Sequence, residues 1–104
     1  MASPANRVVL DLNNPKFQEV FLALETAEWK QVSATLRRLR GMNWNTMYMH
    51  SGLHWEAVDH VTTPTGAKAH SLRLSQKVRA LAYRDGDILR FLSLHPDHDS
   101  AYER

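Results

Sequence analysis

The chain has 104 residues, 43% of them hydrophobic, with a formal net charge of +2 and a pI near 9.2. That length supports one hydrophobic core, so a single domain over residues 1–104 is expected. The absence of cysteine excludes a disulfide framework and a thiolate zinc site. No apolar run approaches the roughly 20 residues of a membrane span, and the stretch from Met1 to Asn6 lacks the charged and apolar regions of a signal peptide. A cytoplasmic protein with no membrane partner is therefore expected. Basic and acidic residues nearly cancel, at 13 against 11, so the placement of the cations carries more information than their sum.

In chain order, Val8-Val9-Leu10-Asp11-Leu12 is a short β-prone run. Asn14 followed by Pro15 is an N-cap and first-turn pair. Phe17, Val20, Phe21 and Leu24 then recur at helical spacing and form one apolar face. A second helix is expected from Thr26 to Gly41, burying Trp29, Val32, Leu36 and Leu39 and leaving Lys30, Arg37, Arg38 and Arg40 outside the stripe. Gly41 is a natural stop, and the two helices make an αα hairpin. Between Met42 and Ala69 no period is sustained, although the segment holds Trp44, Tyr48, Trp55 and the histidines His50, His54 and His60. Leu53 to Val58 fits either a helical turn or an edge strand. Thr62-Thr63-Pro64-Thr65-Gly66 is a turn-rich break.

From His70 the pattern is that of a sheet. Leu72 and Leu74 alternate with Ser71 and Arg73 as in a half-buried strand. The runs Val78 to Arg84 and Ile88 to Leu94 flank Asp85-Gly86-Asp87, a hairpin turn whose glycine can take positive φ. Both runs are apolar on each face, which places them centrally with helices on one side. The expected order is one strand, two helices and a three-stranded antiparallel meander.

The run Ser71-Leu72-Arg73-Leu74, then Arg79, then Tyr83-Arg84-Asp85-Gly86-Asp87, then Leu89-Arg90-Phe91-Leu92-Ser93-Leu94 and a late Tyr102 resembles the RelE/ParE superfamily of bacterial toxin–antitoxin toxins. The resemblance covers about 35 residues at the C-terminal end, is weaker over the helices and leaves out Met42 to Ala69. It implies an α+β fold of order β-α-α-β-β-β, with an antiparallel sheet packed against an N-terminal helical hairpin. It also implies the ribonuclease branch: a ribosome-dependent endoribonuclease that cuts mRNA without a metal or cofactor and is silenced by a cognate antitoxin protein. A catalytically silent binding protein on the same scaffold, or a gyrase-inhibiting toxin, is the second reading, because a shared fold does not choose between activities.

Metal-free RNA cleavage needs a base for the ribose 2′-OH, cations for the charge on the phosphorane, and an acid for the leaving 5′-oxygen. Arginine suits the second task because its planar fork pairs with phosphate oxygens. On the resemblance, Arg73 and Arg79 hold the transition-state phosphate, His98 is the general acid, and Tyr102 stacks on a base or assists proton transfer. His95 is a second acid or a phosphate-orienting group. Some relatives carry lysine or histidine where Arg73 stands; arginine is a poor base, which leaves His70, His54 or Lys77 for that role. Asp97 and Asp99 would repel phosphate unless they hold His95 or His98. Arg37 and Arg38 are expected RNA contacts. His95-x-x-His98 has metal-compatible spacing, but no metal is expected.

Overall fold

A computed structural model of the chain describes residues 6–96. Among them the order is β1 (Val9–Asp11), α1 (Pro15–Ala23), α2 (Thr26–Leu39), α3 (Trp44–Met49), a 3-10 turn (Ser51–Leu53), β2 (Glu56–Val58), β3 (Ala69–Arg73), β4 (Arg79–Asp85) and β5 (Ile88–His95). The fold is α+β.

Asn14 caps α1 as its sequence suggests: its side-chain oxygen accepts the Lys16 N–H at 2.8 Å, and Pro15 occupies the first turn. Phe17 is fully buried, stacking on Phe21 at 5.5 Å and meeting Phe91 of β5 at 5.1 Å. In α2 the buried positions are Val32, Thr35, Leu36 and Leu39. Gly41 takes φ +84 just past the end of α2, the left-handed conformation that lets the chain turn away. Trp29 is a correction to the expected stripe, being 42% exposed. It lies in the first turn of α2, where its ring rests against Phe21 at 6.0 Å rather than on the sheet.

The five strands form one sheet in the order β1-β5-β4-β3-β2. The expectation of a wholly antiparallel sheet is corrected at one edge: β1 pairs parallel with β5, Leu10 facing Leu89, while the remaining pairs are antiparallel. Two elements also exceed the expected order. α3 and the edge strand β2 come from the segment without a period, and β2 extends the meander beyond β3. Of the two alternatives for Leu53 to Val58 the edge strand is found, over Glu56–Val58, and Leu53 ends the preceding 3-10 turn.

One face of the sheet forms the core with the helices. Leu72, Ala80 and Leu94 lie opposite one another across β3, β4 and β5, and they join Phe17, Val32, Leu36, Leu39, Trp44 and Met47 in one cluster. Phe91 and Leu94 are three residues apart, so strict alternation would put them on opposite faces. The register shift at Leu81/Ala82 inserts Leu92 as an extra residue on β5 and returns both to the core.

Candidate functional site

Directly opposed residues on neighbouring strands project to the same side of a sheet. Arg73 of β3 pairs with Arg79 of β4, and Arg79 pairs with His95 of β5. These three therefore form a row on the face opposite the helical core, one position along from Leu72, Ala80 and Leu94. Glu56, Ser71, Leu81 and Ser93 form the next row on that face. Two of the three residues in the first row are those singled out as phosphate contacts.

Arg79 is only 7% exposed, yet its Nε and Nη1 are buried without a hydrogen-bond partner among the described residues, as is the Nε of Arg73. Neither guanidinium belongs to an ion pair among the described residues, where Arg84 and Arg90 are satisfied instead. Arg84 lies over the Trp44 ring at 4.3 Å and donates to Gly86 O, Tyr48 Oη and Asn6 Oδ1. Burying a cation without an acceptor is costly, so Arg79 carries a local energetic penalty. His95 is oriented by Ser93, whose Oγ lies 2.8 Å from its Nε2.

Two cavities adjoin the row. One of about 600 Å³ lies beside His95 and is lined by Leu81, Leu92, Ser93, Val61, Thr62 and Lys16. It combines apolar walls with the cation of Lys16. The other, of about 270 Å³, lies at the end of β3 and brings Arg73 together with Arg38, Thr35, His50, Gly52 and Ser75. The sequence reading missed His50. Its nearest local clue is Gly52, where a Cβ would come 3.2 Å from His50 Cε1.

The other expected residues divide. Arg38 joins Arg73, but Arg37, one step round the helix, lines a groove with Leu10, Leu12 and Phe21. Lys77 is exposed and lines a cavity with Val20, Ala23 and Leu24. His70 pairs with Ala82, a core-facing residue, so it projects away from Arg73. It stacks on Trp55 at 4.2 Å and 8°, and burial lowers its pKa below 6.5. His54 is exposed at φ 50 after the 3-10 turn. His98, Tyr102, Asp97 and Asp99 lie outside the described residues. Among the described residues no group of three or more His, Asp or Glu side chains could hold a metal. No helix there is long and apolar enough to cross a membrane. No protein-family model, curated protein or solved structure matches the chain.

Proposed function

We propose that this protein is a metal-independent endoribonuclease of the RelE type, acting on mRNA at the ribosome and neutralised by a cognate antitoxin. The observation that carries the reading is the Arg73–Arg79–His95 row: two guanidiniums and an imidazole in register on one sheet face, the two arginines having buried donors that no group among the described residues accepts. A phosphodiester has the charge and paired oxygens to satisfy such donors.

In the proposed reaction the 2′-oxygen forms a bond to phosphorus as its proton passes to a base, and the bond from phosphorus to the 5′-oxygen breaks. His95, the imidazole in register with both arginines, is assigned the base role. His98 is assigned the proton delivered to the 5′-oxygen, and Tyr102 the stacking of a neighbouring base. Arg73 and Arg79 stabilise the charge that grows on the equatorial oxygens. Lys16 and the apolar walls of the cavity beside His95 accommodate the adjoining nucleoside.

Induced expression should arrest translation and cut translated messages, leaving 2′,3′-cyclic phosphate and 5′-hydroxyl ends. Arg73→Ala or Arg79→Ala should lower the cleavage rate on the order of a hundredfold or more, with Lys restoring only part because it lacks the fork. Intact messages in arrested cells, with accumulated gyrase–DNA breaks, would replace this reading with gyrase inhibition. Cleavage at the parental rate in both Ala variants would remove the arginines from the site.

The two histidine roles are separable with a substrate whose 5′-leaving atom is sulfur. A thiolate departs without a proton, so His98→Gln should be severe on the oxygen substrate and mild on the sulfur one. His95→Gln should slow both alike. Equal losses for His98→Gln on both substrates would exclude it as the acid.

A further inference from the structure

Arg73 faces the row on one side and, on the other, the cavity of about 270 Å³ at the end of β3. Arg38 enters that cavity from α2, held by a hydrogen bond of 3.3 Å from its Nη2 to Thr35 Oγ1, which itself donates to Gln31 O at 3.2 Å. His50 enters from the junction of α3 and the 3-10 turn, its ring lying over Gly52. Ser75 completes the wall, its hydroxyl donating to Glu28 and accepting from the Val78 N–H at 3.1 Å. Glu28, which accepts that hydroxyl, lines the separate cavity near Val20 and Lys77. Two guanidiniums and an imidazole line one small cavity that has no carboxylate among its described lining residues.

We propose that this cavity is a second phosphate subsite, which binds the backbone phosphate next to the scissile one in a single-stranded RNA. The proposal deepens the nuclease reading and rests on it for the identity of the ligand. Arg73 bridges the two phosphates, Arg38 and His50 grip only the second, and Gly52 leaves the space in which the imidazole lies. The segment that supplies His50 is the one lying outside the family resemblance, so this subsite is a property of the present chain. It extends the contact with substrate from one phosphate to two. Each added contact of a cation with a phosphate also contributes to the salt dependence of binding.

The test separates binding from cleavage. Inorganic phosphate, titrated into the full chain, should saturably shift the His50 ring resonances and the Arg38 and Arg73 side-chain resonances in NMR spectra. Non-cleavable 2′-O-methyl oligonucleotides with one or two phosphates are then compared. The second phosphate should raise affinity on the order of tenfold in the parent and give little in Arg38→Gln or His50→Gln. Arg38 and His50 are both exposed, so these variants are expected to fold. Arg38→Gln should also lower the slope of log affinity against log salt by about 0.7, the loss of one single-strand phosphate contact. Gly52→Ala should weaken the gain by displacing the imidazole. Failure of inorganic phosphate to shift His50 or Arg38, or retention of the full gain in Arg38→Gln, would overturn the subsite. Absence of cleavage by the parent chain, with these binding differences intact, would instead remove the nuclease reading.

Discussion

Arg79 places two guanidinium nitrogens beyond the reach of water and of any described acceptor, at the first position of β4 between Val78 and Ala80, both wholly buried and apolar. An unsatisfied buried donor costs about 1–3 kcal/mol, and a charged one is not cheaper. The fold therefore carries a local penalty that binding an anion would relieve. Replacing Arg79 with Met keeps a long side chain and removes the charge. The expected result is a gain of about 1–3 kcal/mol in stability by urea denaturation, together with loss of cleavage. A less stable Met variant would show that Arg79 holds the fold instead. His70 is the residue-scale counterpart on the opposite face. Its folded pKa lies below 6.5 because burial disfavours the imidazolium, so the unfolded chain takes up that proton first as the pH falls. The contribution of neutral His70 to stability is complete above pH 6.5 and declines below it toward the lower folded value. His70→Phe preserves a ring against Trp55 and removes the titration. The variant should lose less of its urea midpoint than the parent between about pH 7.5 and about pH 5.5, and an equal loss would contradict the assignment.

At the scale of elements, what could be read from sequence was what local rules dictate. Asn14-Pro15 and the Phe17 stripe announce α1 because caps and periods are contained within a few residues. Strands β3 to β5 were legible because their alternation and the Asp85-Gly86-Asp87 turn imply antiparallel neighbours, and Arg73 with Arg79 came from that region. Their register with His95 was not legible, since it depends on a turn between Leu74 and Val78 and on the Leu92 bulge. Neither follows from a hydrophobic pattern. α3 and β2 were missed for a different reason. Six and three residues are too short to display a period, and they are held by tertiary contacts. Trp44 donates to Asp87 O at 3.1 Å, and Trp55 lies edge-on to Trp44 at 6.2 Å and stacks on His70. His50 is carried to Arg38 and Arg73 by those contacts, so no spacing in the sequence could pair it with them. The parallel pairing of β1 with β5 is likewise non-local, joining the first described strand to the last.

Across the whole molecule, the sheet is fastened at the end opposite the candidate site. Arg90 of β5 donates from Nη1 to Asp11 of β1 at 2.6 Å and from Nε to Asp85 of β4 at 2.8 Å, so one guanidinium ties three adjacent strands. Its role differs from that of Arg79 because both of its acceptors are built into the fold. β1 has only three residues, and its pairing with β5 is strengthened by this side-chain clasp. The Asp11 carboxyl is held below 3.8, first by the Asn13 backbone N–H and then by Arg90. Its ionised form is therefore favoured by folding: the contribution is fully present above pH 3.8 and disappears as the pH falls through the lower folded value. Asp11→Asn retains an acceptor for Asn13 but loses the charge. The urea midpoint of the parent should exceed that of the variant by most above pH 3.8, and the two should converge on acidification. A difference that widens at low pH would contradict the clasp. Because Asp11, Asp85 and Arg90 lie at the far end of β4 and β5 from Arg79 and His95, the same substitution should leave cleavage per folded molecule near the parental value. A matching loss of activity in folded Asp11→Asn would mean that the two ends of the sheet are coupled.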